Sequence, residues 1–235
     1  MGYWIYKMSI LEEKFYKLTK RCHKFIHYFE LYEKHFEKYV GKSPRILEIG
    51  VFGGGSLELW KEYFGPGTTV VGVDKNPQCK KYEEEDIEII IDDQTNKELW
   101  FDMPSENFDI IIDDGSHICS HQITTLEMTY RLIKEGGTYW CEDVHTSYYE
   151  AFGGGLYSPT SFISFTKSII DVINDYHTKR IYKTGENPLN KLDPDFVNIF
   201  DDIQGIHFYD SVVVIDKGKR PTIKDVIVNN ANKKN

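Results

Sequence analysis

Early in the chain, apolar residues recur at helical spacing: Leu11, Phe15, Leu18, Cys22, Phe25, Phe29, Tyr32 and Phe36, with charges on the opposite side. The spacing predicts one helix or two over 10–39, ending near Val40-Gly41. The pattern then changes. R-I-L-E-I-G-V, T-V-V-G-V-D, I-E-I-I-I-D-D, F-D-I-I-I-D-D and T-Y-W-C-E-D are short apolar runs that predict five strands. Helices are expected over about 56–64, closed by Gly65-Pro66-Gly67, then from about Pro77, and over 124–133. Strands alternating with helices argue for a parallel sheet with right-handed crossovers.

After the fifth strand, residues 144–160 hold three glycines, three tyrosines and a proline. A loop of this length is commonly a lid or a binding loop. A helix over about 160–177 and a polar loop to about 202 follow. I-Q-G-I-H-F and S-V-V-V-I-D flank Tyr209-Asp210 and predict an antiparallel hairpin. The Lys/Asn-rich tail is expected to be loose after Val228. The organisation expected is a helical segment at 1–42, an α/β domain at 43–218 and a polar tail at 219–235, without internal repeats.

Composition narrows the class. At 235 residues, 40% of them hydrophobic, the chain fits one large domain with a substantial core. A net charge of -9 gives a nucleic-acid role no whole-chain electrostatic support, a local basic patch aside. Lys7, Glu12, Glu13 and Lys14 interrupt the aromatic start, unlike a signal peptide. No window approaches the ~20 apolar residues of a membrane span. Cys22, Cys79, Cys119 and Cys141 lack paired or metal-type spacing and read as reduced thiols in a cytoplasmic protein. Each is most simply a small buried apolar residue.

The chemistry gathers at strand ends. E-I-G-V-F-G-G-G-S, residues 48–56, joins the first strand to the first helix. Glycines there let a ligand lie against the backbone, and the helix start favours polar or negative groups. The spacing is not G-x-G-x-x-G, which argues against an oxidoreductase of the NAD type. Asp74 ends the second strand 24 residues after Gly50, where an acid commonly accepts hydrogen bonds from ribose hydroxyls. Asp92-Asp93 ends the third strand and could meet an adenine amino group. Each acid alone reads as a solvated strand end or a helix cap. Together, beside a glycine turn, they suit a nucleoside without phosphates.

E-I-G-V-F-G-G-G-S followed by V-G-V-D resembles the cofactor motifs of the class I S-adenosylmethionine-dependent methyltransferases. The resemblance implies a Rossmann-like sheet of five parallel strands plus a carboxyl-terminal antiparallel hairpin, with helices on both faces. It implies that Glu48 and Gly50 flank the methionine part, with Gly53 and Ser56 in the same turn. Asp74 would hold the ribose, and Asp93 with Gln94 would face the adenine. The family's commoner spacing is G-x-G-x-G, so the glycines from Gly53 onward depart from it.

Asp113-Asp114 and Glu142-Asp143 end the fourth and fifth strands, which as neighbours would lie ~5 Å apart. Successive side chains alternate, so not all four acids can face one way. Crowded carboxylates raise one another's pKa unless a cation lies between them. A hard divalent ion such as Mg²⁺ suits three carboxylates with open positions, and nothing suits structural zinc. His117, three residues beyond Asp114, is expected at the start of the next helix. Its imidazole could take a proton from a hydroxyl that the cation has oriented. From D-D-G-S-H alone, an Asp/Ser cap before a helix explains the segment equally well.

D-D-G-S-H, then Y-W-C-E-D, then H-F-Y-D-S-V-V-V is similar to the metal-dependent macrolide-sugar O-methyltransferases of the mycinamicin type and to the cephalosporin hydroxylase-like family. H-Y-F-E-L-Y-E-K-H-F resembles their amino-terminal segment, and the similarity runs over about 19–218. It implies Mg²⁺ on Asp114, Glu142 and Asp143, His117 as general base, and Asp113 as a supporting group on the cofactor side. The implied reaction is methylation of a hydroxyl on a sugar or sugar-bearing small molecule, by a homo-oligomer without nucleic-acid or membrane partners. The resemblance is not expected to include the long amino-terminal extension of the macrolide enzymes. A non-catalytic cofactor-binding protein on the same fold is the other reading.

Further candidates are positional. His121 follows His117 by four residues and is expected on the same helical face. His145, Tyr148 and Tyr149 in the long loop are candidate substrate contacts, with Phe152 beside them. His27 and Tyr28 either cap the cofactor end or pack, and His207, Phe208 and Tyr209 read as core or site wall.

Overall fold

A computed structural model describes residues 8–174, 177 and 199–227. Most of the polar loop expected before about 202, and the tail after Val228, lie outside the described residues. All five predicted strands form: β1 (Arg45–Ile49), β2 (Thr69–Asp74), β3 (Ile87–Ile91), β4 (Phe108–Asp113) and β5 (Ile133–Cys141). They are parallel neighbours because their apolar runs are covered on both faces. The hairpin of β6 (Ile203–Tyr209) and β7 (Val212–Lys217) completes a seven-stranded sheet of order β3-β2-β1-β4-β5-β7-β6. β7 slots antiparallel between β5 and β6.

Alternation along the strands builds two cores. Ile46, Ile110, Ile112 and Trp140 face one helix layer, whereas Leu47, Ile49, Ile111 and Tyr139 face the other. The first layer contains α1 (Ile10–Phe15), α2 (Tyr28–Phe36) and α3 (Gly55–Phe64). Tyr32 stacks on Trp140 with centroids 4.4 Å apart and meets Trp60 edge-on at 5.1 Å. The second layer contains α4 (Lys97–Asp102), α5 (Cys119–Thr129) and α6 (Phe162–Ile173).

Several boundaries differ from expectation. The amino-terminal stripe is two short helices, and residues 16–27 between them are irregular. Within that segment Arg21 bridges to Gly54, so tertiary pairing overrides the helical period there, and Phe25 is exposed. α4 was not evident from periodicity, being only six residues long and started by the Asn96 side chain, which accepts from Glu98 N. α5 ends at Thr129, and β5 begins at Ile133, ahead of Gly136-Gly137. The register shifts between Phe108 and Ile110, which absorbs that glycine pair as an irregularity. The long loop holds two 3₁₀ turns, Val144–Tyr148 and Glu150–Phe152.

On the far edge of α2, the His35 and His207 rings lie 4.8 Å apart. Burial, then the neighbouring His207, hold the His35 imidazole down to about 4. All four cysteines are free thiols. Among the described residues, no helix is long and apolar enough to cross a membrane.

Candidate functional site

Two clefts open beyond the carboxyl ends of the parallel strands, where ligands of open α/β sheets bind. Gly115 lines both. The smaller, about 130 Å³, is walled by Gly50, Asp74, Asp93, Gln94, Ser116 and His121. Gly50 has φ +94, and a Cβ there would lie 2.0 Å from the Asp114 carbonyl oxygen. Only glycine lets the ends of β1 and β4 approach this closely.

Asp74 Oδ2 accepts from Val51 N at 2.9 Å and Phe52 N at 3.1 Å, so this carboxylate also holds the glycine turn in place. Asp93 Oδ1 accepts from the Thr95 backbone and hydroxyl, and these bonds lower its pKa. Gln94 Oε1 accepts from Ser116 N at 2.7 Å, and its amide donates to Thr125 Oγ1 at 2.9 Å. Asp113 lines neither cleft. It is fully buried and accepts from Tyr139 Oη at 3.2 Å and Gly115 N at 3.3 Å, behind the wall. Burial pushes its carboxyl up to about 7.

The rest of the glycine turn is committed to packing. A Cβ on Gly53 would meet the Arg21 carbonyl oxygen at 2.4 Å. Ser56 and Trp60 hydrogen-bond Glu48, which is fully buried on the α2 side of the sheet. Gly53, Ser56 and Glu48 therefore line neither cleft. Burial pushes Glu48 up to about 7, and its Oε1 has no partner among the described residues.

The larger cleft, about 490 Å³, contains Asp114, His117, Glu142 and Asp143. Strand alternation separates Asp113 from Asp114, so only the second acid of the pair enters this cleft. His117 Nε2 lies 4.0 Å from Asp114 Oδ1 and 3.6 Å from Asp143 Oδ2. One ligand atom from each of these three residues falls within 4.8 Å of the others, a set able to hold a metal ion. His117 Nδ1 is buried without a partner among the described residues.

His117 does not start a helix. It sits at φ 58, before Ile118 caps α5, and Asp143 sits at φ 53. Left-handed backbone is unfavourable for such residues and persists where its surroundings enforce it. Thr146 is the enforcing contact: its Oγ1 reaches the His117 carbonyl at 2.8 Å and the Asp143 carbonyl at 2.9 Å. The expected shared helical face of His117 and His121 is thus absent. His121 instead meets Ser116 Oγ at 2.9 Å through Nδ1 and walls the smaller cleft.

Lys24, which no motif in the sequence marks, also lines the larger cleft. Its side chain is 1% exposed, and Nζ donates to Asp114 Oδ2 at 2.6 Å and to the two Glu142 oxygens at 2.9 and 3.0 Å. Burial disfavours the ammonium, but Asp114 and Glu142 outweigh it and raise its pKa well above the ordinary lysine value. Glu142 also accepts from the Tyr32 hydroxyl, and burial followed by Asp114 raises its pKa. Tyr28 Oη donates to Asp143 Oδ1 at 2.7 Å, so this residue packs and also fixes a cleft carboxylate. His27 Nε2 meets the Asp210 carbonyl at 3.1 Å, away from the smaller cleft. Among the loop candidates, His145 packs on Phe25, a wall of the larger cleft, with centroids 5.9 Å apart. Tyr148 and Tyr149 are half exposed and line neither cleft.

No family model matches the chain. It is 34% identical over 209 residues to mycinamicin VI 2''-O-methyltransferase of Micromonospora griseorubida, covering 83% of this chain and 49% of that protein. It is 31% identical over 199 residues to demethylmacrocin O-methyltransferase of Streptomyces fradiae, covering 80% and 47%. The MycE methyltransferase of the mycinamycin biosynthetic pathway, solved with Mg and SAH, superposes with a TM-score of 0.74 at 30% identity, covering 90% of this chain and 54% of that one. The chain spans about half the length of these relatives. With the strand order and the paired strand-end clefts, these similarities show that the chain belongs to the class I S-adenosylmethionine-dependent methyltransferases and resembles, among them, the macrolide-sugar O-methyltransferases.

Proposed function

We propose that the chain is an S-adenosylmethionine- and Mg²⁺-dependent O-methyltransferase acting on a hydroxyl of a sugar or sugar-bearing small molecule. The observation that carries this reading is one cleft holding His117 with Asp114 and Asp143, joined through Gly115 to a second cleft walled by Asp74, Asp93 and Gln94. The named reactions of the relatives, sugar O-methylations among them, supply the substrate class.

Asp74 would accept from ribose hydroxyls, and Asp93 with Gln94 would face the adenine. Asp113 supports that wall through Gly115. Asp114, Asp143 and Glu142 are the proposed metal ligands, and the donor set fits a hard divalent ion. For Glu142 to serve, Lys24 must release its oxygens. A divalent ion held there would orient the acceptor hydroxyl and lower its pKa. His117 Nε2 would take the hydroxyl proton, its ring directed by the left-handed backbone that Thr146 enforces. The chain's main contribution is alignment, since in-line displacement at carbon needs oxygen, methyl carbon and sulfur in a row. His145, Tyr148 and Tyr149 would meet the acceptor from the loop.

The free thiols suit a cytoplasmic setting, and the exposed Ile10, Tyr16, Phe25 and Ile26 suit a homo-oligomer. The test is labelled-methyl transfer to nucleotide sugars and glycosides. Transfer should depend on Mg²⁺ and stop with a chelator; transfer indifferent to chelation would remove the metal from the reaction.

A further inference from the structure

A second cluster of metal-ligating side chains lies at the joint between α2 and the β6–β7 hairpin. We propose that His35, His207 and Asp216 form a separate binding site for a transition-metal ion of the Zn²⁺ class, independent of the methyl-transfer cleft.

The three residues come from three elements, and one ligand atom from each falls within 4.8 Å of the others. His207 Nε2 is 3.0 Å from Asp216 Oδ2, and the His35 ring centroid is 4.8 Å from that of His207. Donors around a tetrahedral Zn²⁺ are roughly 3.3 Å apart, so the cluster needs only small side-chain movements to close.

The backbone places these groups with room above them. Gly205 pairs directly with Asp216 across the hairpin, and His207 is two residues further on the same face. A Cβ on Gly205 would meet only His207 Nε2, at 3.6 Å, so this glycine leaves room beside that nitrogen. Thr138 Oγ1 donates to Asp216 Oδ1 at 3.0 Å, and Lys38 Nζ approaches that oxygen at 3.5 Å. Oδ2 faces His207 Nε2. His35 Nε2 is 3.0 Å from the Tyr209 hydroxyl, a fourth polar group beside the cluster.

The donor set decides the class of ion. Two imidazole nitrogens and one carboxylate oxygen suit Zn²⁺ or Co²⁺, whereas Mg²⁺ prefers oxygen ligands and retains its water. A bound ion would pin α2, whose residues Tyr28 and Tyr32 hold Asp143 and Glu142, to the antiparallel edge of the sheet.

The test is calorimetric titration of Zn²⁺ into full-length Asp114→Asn protein with excess Mg²⁺, where the other cluster has lost a carboxylate. One Zn²⁺ per chain should bind, and Co²⁺ should give the visible absorption of a four-coordinate site. Adding His207→Ala or Asp216→Asn should weaken binding at least tenfold, with circular dichroism confirming the fold. His207 is partly exposed on an edge strand, which favours a folded variant. Absence of Zn²⁺ binding, or binding unchanged in both added variants, would overturn the proposal. Neither result bears on methyl transfer.

Discussion

Lys24 Nζ donates to Asp114 Oδ2 at 2.6 Å, across 90 residues of sequence. The same ammonium holds both oxygens of Glu142. An irregular amino-terminal segment thus places a buried cation among carboxylates that would otherwise repel one another.

Removing only the cation should be costly. Lys24→Met leaves Asp114 and Glu142 without their buried partner, for which a loss of about 3–5 kcal/mol is expected. Denaturant unfolding measures it, and Lys24→Met with Glu142→Gln should recover part of the loss. Equal stability of Lys24→Met and the parent would contradict the pairing.

Thr146→Val should loosen the turn rather than the core. The hydroxyl serves the His117 and Asp143 carbonyls together, and their loss is worth about 1–3 kcal/mol. We expect kcat to fall while S-adenosylhomocysteine affinity is kept. Thr146→Ser, which retains the hydroxyl, should restore both turnover and stability.

His117→Ala should lower kcat by about 10²–10⁴-fold, the usual contribution of a positioned base. A base role requires the loss to fall on kcat at saturating acceptor, with S-adenosylhomocysteine affinity kept. A change in KM alone would assign His117 to acceptor binding.

Glu48 sets a pH dependence of stability. Its folded pKa is raised from 4.5 to about 7 by burial. Between those values the folded chain holds a proton that the unfolded chain releases, so stability falls as pH rises through this window. Glu48→Gln should flatten that part of the curve while keeping acceptors for Trp60 and Ser56. Urea unfolding at pH 5 and 8 for both proteins tests it; an identical decline would contradict the assignment.

The sheet was legible because parallel strands are apolar on both faces and stop abruptly in acids, as I-I-I-D-D and Y-W-C-E-D do. Asp114 rather than Asp113 was implied by the family resemblance alone, and the structure places Asp114 in the larger cleft with Asp113 behind the wall. Lys24 was not legible. A lysine reads by default as solvated, and its burial depends on an irregular segment docking beside strands far along the chain. The helix expected through Cys22 and Phe25 hid that segment. The backbone at His117 was equally hidden, because its left-handed turn is imposed by Thr146 from the following loop. The contacts of Gly53 and Ser56 were hidden for a similar reason: the groups they meet, Arg21 and Glu48, are settled only by tertiary structure.

Mg²⁺-dependent methyl transfer centred on Asp114 and His117 is tested most directly by transfer of labelled methyl from S-adenosylmethionine to a glycoside acceptor, titrated with Mg²⁺, in the parent and in Asp114→Ala. Transfer should be Mg²⁺-saturable in the parent and lost in Asp114→Ala, with S-adenosylhomocysteine binding retained by calorimetry. Undiminished, chelator-resistant transfer by Asp114→Ala would contradict it.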